Sequence, residues 1–162
     1  MKRDRTDPLV IREARPGDVT ELRALWIEFM DFHLAFDPDY TRRENAVEKW
    51  AEYVDSKFRE ESAALFVAVE SEKILGYIGA LVRDFPPVYV IEKHGYIEEI
   101  AVTREWRRRG IAERLYSAAE TWLLAQGVDR IRVTIDVANE ASQGFFRSRG
   151  FLDDTETLTK KF

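Results

Sequence analysis

The chain has 162 residues, no cysteine, two histidines (His33 and His94) and a formal net charge of −5. That length fits one domain over residues 1–162 whose core needs no disulfide or structural metal. The missing thiol excludes a disulfide scaffold, a thiolate zinc site, an iron–sulfur cluster and a cysteine nucleophile, and fits a reducing, cytoplasmic setting.

A pI of about 5.2 argues against nucleic acid as the partner. The longest apolar run, Ala63–Val69, is far short of the ~20 residues that span a bilayer, so no membrane anchor is expected. Met1–Arg5 has no apolar stretch behind it and does not read as a signal peptide.

Leu9–Glu13 reads as a first strand, closed by Pro16-Gly17-Asp18. Val19, Leu22, Trp26, Phe29 and His33 then recur at helical spacing. Asp37-Pro38-Asp39 is a turn, and Thr41 with Glu44 forms a capping box ahead of a second helix striped by Val47, Trp50, Val54 and Phe58. Ala64–Glu70 and Ile74–Val82 read as strands joined by Ser71-Glu72-Lys73. Pro86-Pro87 breaks the pattern before a strand at Tyr96–Val102. A helix follows from about Arg109 to Gln126, stopped by Gly127. Ile131–Val137 is a β-branched strand, and Asn139–Arg149 a short helix capped by Asn139 and ended by Gly150. Thr155–Phe162 reads as a last strand. The order describes one mixed α/β domain with a strand–helix–strand core.

The segment that carries chemistry is Ile97-Glu98-Glu99-Ile100-Ala101-Val102 followed by Arg107-Arg108-Arg109-Gly110-Ile111-Ala112. A strand, a basic turn and a glycine stand directly before a helix. The first N–H groups of a helix lack intrahelical partners and the helix dipole favours negative charge there. Gly110 and Ala112 let an anion approach the backbone, and four arginines within Arg104–Arg109 raise the local potential. The alternative is a solvated basic turn. Neither G-x-x-x-x-G-K-[ST] nor G-x-G-x-x-G is present, which speaks against a P-loop or Rossmann site.

Arg107-x-x-Gly110-x-Ala112 resembles the [Q/R]-x-x-G-x-[G/A] acetyl-CoA signature of the GNAT superfamily of N-acetyltransferases. Asn139 through Phe151, with its short helix and Gly150-Phe151 pair, resembles that family's second motif. The likeness runs from about Tyr96 to Leu152. It implies a central, twisted, mostly antiparallel sheet flanked by helices, and acetyl transfer from acetyl-CoA to a primary amine. It further implies that the backbone of Arg107, Arg108, Arg109, Gly110, Ile111 and Ala112 binds the pyrophosphate. Ile100, Ala101 and Val102 would pair with the pantetheine arm as an added strand does. Asn139 would bond the pantetheine end, serve as a plain N-cap, or do both. Many members of the family dimerise, so a homodimer is possible.

Transfer to an amine needs a base, because an alkylamine of pKa about 10 is protonated at neutral pH. Glu98 and Glu99 are the candidates. Strand alternation sends them to opposite faces, Glu98 with Ile100 and Val102, Glu99 with Ile97 and Ala101. By the resemblance Glu98 is the base, through a bridging water, while Glu99 could bind the substrate's ammonium group. The family often has a tyrosine seven residues after the motif asparagine to protonate the leaving thiolate; here that position is Phe146. Water, Tyr96 or Tyr116 could replace it, the thiolate could leave unaided, or the domain could be an acyl-CoA-binding module without efficient turnover. His33–Tyr40 is expected to roof the acceptor pocket or to be a plain interhelical turn. Asp84–Gly95 is a second candidate wall, with His94 as an exposed loop histidine. No metal-ligand spacing appears.

Overall fold

The computed structural model describes residues 8–162. The reading of Met1–Arg5 lies outside the described residues. Five strands, β1 (Val10–Glu13), β2 (Ala63–Glu70), β3 (Lys73–Asp84), β4 (Lys93–Val102) and β5 (Ile131–Val133), form one sheet in the order β1-β2-β3-β4-β5. The first three pairings are antiparallel. The last, β4 with β5, is parallel. That pair needs a crossover, supplied by helix α3 (Ile111–Ala125). The helices α1 (Val19–Leu34), α2 (Ala46–Lys57) and α4 (Glu140–Arg147) complete the fold. It is the mixed α/β, mostly antiparallel architecture expected from the sequence.

The alternation of β3 builds two cores. Tyr77 points to the side covered by α1 and α2, where Leu22, Trp26, Trp50 and Val54 are buried. Its neighbour Ile78 points to the opposite side, against Leu115, Ala119 and Leu123 of α3. Ser71 and Glu72 make the β2–β3 turn, both with positive φ (47° and 66°), the two-residue geometry that suits the twist of a hairpin.

Three local expectations differ from the structure. Thr41 Oγ1 donates to the Pro38 carbonyl at 2.6 Å instead of capping α2. Asp37 accepts the Asp39 N–H, so the turn becomes a short 3-10 turn and α2 starts behind Asn45. Strand β5 ends at Val133 rather than Val137. Thr155–Phe162 forms no strand. Its residues have strand propensity but no ladder partner among the described residues, and propensity without a partner does not fix a strand. Leu158 and Phe162 stand exposed, while Lys161 pairs with Asp39 at 2.9 Å.

One irregularity governs the site. Gly79 pairs with Glu99, but the next residue, Ala80, pairs with Ile97, so Glu98 is an extra residue in β4. This bulge inverts the alternation. Ile97 packs in the α3 core and Ala101 in the α1–α2 core, although simple alternation would place them together.

Candidate functional site

Beyond the bulge the sheet splits. Strand β5 pairs with β4 only from Gly95–Ile131 to Ile97–Val133. A cavity of about 280 Å³ fills the gap, walled by Ile97–Val102 on one side and by Val133–Asp136 and Asn139 on the other. Phe29, Phe32, His33 and Tyr40 close it from α1 and the α1–α2 connection. The Thr103 N–H donates to Leu75 on β3 at 2.8 Å. By alternation Ala101 and Glu99 also turn their amides towards β3. Ile100 and Val102 therefore turn theirs into the gap left by β5. The bulge decides which amides face the cavity.

At the far end of β4 the chain turns into α3. Arg108 and Gly110 both have positive φ (61° and 76°). Gly110 is the N-cap of α3 and supplies no side-chain cap, so the first amides of the helix stay open. A Cβ built on Gly110 would meet nothing within 4 Å. The turn thus offers uncapped N–H donors and room for an anion, which fits a pyrophosphate. Arg107 faces inward: its Nε donates to the Val102 carbonyl at 2.9 Å and its Nη2 lies 3.3 Å from Glu28. Glu28 also accepts the Arg104 N–H (2.6 Å) and the Thr103 hydroxyl (3.1 Å), tying α1 to the turn. Nothing in the sequence signals Glu28, because its partners lie more than seventy residues away.

The two glutamates do not point to opposite faces. The bulge brings both to the α1–α2 side. Glu98 accepts the Tyr53 hydroxyl of α2. Glu99 Oε2 accepts the Tyr77 hydroxyl (2.8 Å) and Trp50 Nε1 (3.3 Å), and its Oε1 accepts Trp26 Nε1 (3.3 Å). The Trp26 and Trp50 rings stack at 5.3 Å and hold these donors in place. Loss of water pushes the Glu99 carboxyl above the usual range, against the pull of Tyr77, Trp50 and Trp26. Burial and the adjacent carboxylates push the Tyr77 and Tyr53 phenols up.

Glu98, Glu99, Ile100, Ala101, Val102, Arg107, Ala112 and Asn139 all line the cavity. Arg108, Arg109 and Gly110 form the turn beside it, and Ile111 is buried in the α3 core. Asn139, 1% exposed, accepts the Ser142 N–H at 3.1 Å and caps α4. Phe146 is buried edge-on against Phe145 and Phe151, each at 5.1 Å. Tyr116 packs in the same aromatic group and donates to Glu120 at 2.9 Å. Tyr96 donates to Thr134 at 3.0 Å. Both hydroxyls already have partners. His33 Nδ1 donates to the Phe29 carbonyl (2.8 Å), so its ring is fixed on the cavity wall. His94 corrects the expectation of an exposed loop residue. β4 starts earlier than Tyr96, which puts His94 in the sheet, 9% exposed, against Phe85.

The sequence profile of the Acetyltransferase (GNAT) family matches residues 22–151. N-alpha-acetyltransferase 30 of Schizosaccharomyces pombe is 30% identical over 86 residues, 53% of this chain and 55% of that protein. Human N-acetyltransferase 8 is 28% identical over 118 residues, 65% of this chain and 51% of that protein. The chain spans about half the length of the curated relatives it matches. Among solved structures, a tetramutant of the BH1408 protein from Bacillus halodurans has a TM-score of 0.81 at 23% identity, covering 94% of this chain and 99% of that one. The aminoglycoside N-acetyltransferase AAC(6')-Iy, in complex with CoA, has a TM-score of 0.77 at 18% identity, covering 99% of both chains. These structural likenesses establish a common fold. Because the family profile runs from the first turn of α1 to just past α4, the chain belongs to the GNAT acetyltransferase family.

Proposed function

We propose that residues 1–162 form one acetyl-CoA-dependent N-acetyltransferase domain that transfers the acetyl group directly to a primary amine. The observation that carries this reading is the split of β4 from β5 at the Glu98 bulge, which leaves the Ile100 and Val102 amides facing the cavity. Acetyl-CoA supplies an acyl group on a good leaving group, since thiols have a pKa of about 8.5. The open amides between Arg107 and Ala112 hold the pyrophosphate on the α3 N-terminus. The Ile100–Val102 backbone takes the pantetheine arm in the place of the missing β5 partner. Asn139 stays the cap of α4 and presents its remaining amide edge to the same arm.

Glu98 removes the proton of the attacking amine through a water, and Tyr53 holds its carboxylate in position. The Ile100 N–H stabilises the charge that develops on the carbonyl oxygen. The new bond is C–N, the broken one C–S, and the electron pair leaves on sulfur. Glu99, held by three donors, keeps a fixed negative potential that attracts the ammonium form of the acceptor. Phe146 has no proton to give, so the thiolate is released as such and takes its proton from water. Without cysteine, an acetyl-cysteine enzyme intermediate is excluded.

Phe146 also favours a second reading, an acyl-CoA-binding module without turnover. Incubation with acetyl-CoA and a panel of primary amines, followed by free thiol, separates the two. Amine-dependent thiol release supports the transferase. CoA binding without release from any amine supports the module.

A further inference from the structure

On the α1–α2 side of the sheet, the charge changes sign between the Glu98 bulge of β4 and Arg83 and Arg132 on the neighbouring strands. Glu98 and Glu99 lie at the bulge. Two residues earlier, roughly 7 Å along the strand, is Tyr96, and four residues earlier is His94. Gly95 between them turns to the opposite side, against Leu123. On β3, Tyr77 and Gly79 face the α1–α2 side with Glu98, and by alternation Arg83 does too. On β5, Ile131 and Val133 pack towards α3, so Arg132 stands on the side of Arg83.

The cations here are built in. The Arg83 guanidinium lies 3.5 Å over the Tyr96 ring. Arg132 lies 4.8 Å over Phe85 and pairs with Asp154 at 2.8 Å, and Arg130 pairs with Asp129. Arg83 has no carboxylate partner among the described residues. It is exposed and held flat by the ring, so its fork of donors is pre-oriented. Beneath it, His94 Nδ1 is buried and has no hydrogen-bond partner among the described residues. Burial first, and then the charges of Arg132, Arg83 and Arg130, push the His94 imidazole below its usual range. The Arg83 charge also reaches the Tyr53 hydroxyl, the group that bonds Glu98.

We infer that the acceptor is an amine that also carries an anionic group, a carboxylate placed about 7 Å or more from the nitrogen. The nitrogen goes to Glu98 and Glu99, and the carboxylate to Arg83. A polyamine fits this arrangement badly, because its second ammonium would meet Arg83. The inference rests on the transferase reading above and narrows its substrate class.

The test compares 6-aminohexanoate, its neutral amide 6-aminohexanamide and 1,6-diaminohexane as acceptors, with acetyl-CoA and thiol release as the readout. The wild-type chain is expected to show kcat/KM roughly tenfold higher for the acid than for the amide, mostly through KM, as one charge-assisted pair supplies. Arg83→Gln should bring that ratio to within about twofold. Arg83→Lys should restore part of it, because it keeps the charge and loses the flat fork. Equal rates for acid and amide, a preference for the diamine, or an unchanged ratio in Arg83→Gln would overturn the inference and leave the transferase reading intact. CoA binding with no thiol release from any of the three or from the wider panel of primary amines would overturn both.

Discussion

Replacing Tyr77 by phenylalanine asks whether Glu99 is the fixed anion that the site requires. Tyr77 is fully buried and its hydroxyl donates to Glu99 at 2.8 Å. The substitution keeps the ring against Trp50 (6.1 Å) and removes one hydrogen bond to a charged group, worth about 1.5–3 kcal/mol. Because that bond favours the ionised carboxylate over the neutral acid, its loss should push the Glu99 carboxyl further above the usual range. The sign follows from linkage. A carboxyl whose pKa is higher in the fold than in the unfolded chain favours the fold while it is protonated. That contribution is present below the unfolded value of 4.5 and is lost as pH rises through the folded value. The variant widens this window. Its cost in unfolding free energy should be about 1.5–3 kcal/mol at pH 8. At pH 4, where the bond is between neutral groups, the cost should fall to about 0.5–1.5 kcal/mol. Urea titrations of both proteins at the two pH values measure this. An equal cost at pH 4 and pH 8 would mean that Glu99 is not charged in the fold, and would refute its assigned role.

Glu98→Gln should lower kcat by roughly 10²- to 10⁴-fold, read as amine-dependent thiol release across pH 6–9. Wild-type turnover throughout that range would remove Glu98 as the base. Gly110→Glu places a bulky anion where the pyrophosphate is held and forces a side chain into a left-handed conformation (φ 76°). Calorimetry should find CoA binding abolished, with the melting temperature lowered by only a few degrees because the position is open. Phe146→Tyr should change kcat by less than about threefold, because the thiolate already leaves without a proton donor. A large gain would show that thiolate protonation limits the wild-type chain.

The sequence showed the order of elements, because helical and alternating periods reflect burial in the two cores that flank the sheet. It also showed where two helices begin, since Gly110 and Asn139 stand at the starts of α3 and α4 by their residue type. The bulge at Glu98 was not legible. It depends on how β4 registers against Gly79 and Ala80, and that is a property of the pairing, not of either strand alone. The expected alternation fails there: Glu98 and Glu99 do not face opposite sides, and Ile97 does not share a face with Ala101. Glu28 and Tyr53 were invisible for a related reason, since each acts on a partner brought near only by the packed sheet. The strand expected at Thr155–Phe162 failed because the pattern reports propensity, and a strand also needs a neighbour. The Thr41–Glu44 capping box lost to the tighter turn that Asp37 and Pro38 form just before it.

A crystal structure with CoA bound tests the central claim most directly. The account predicts the pyrophosphate within about 3.2 Å of backbone amides between Arg108 and Ala112. It also predicts the pantetheine arm paired with Ile100 and Val102, and the thiol beside Glu98 in the β4–β5 gap. A pyrophosphate bound elsewhere, or a thiol remote from Glu98 and screened from it by the sheet, would contradict it.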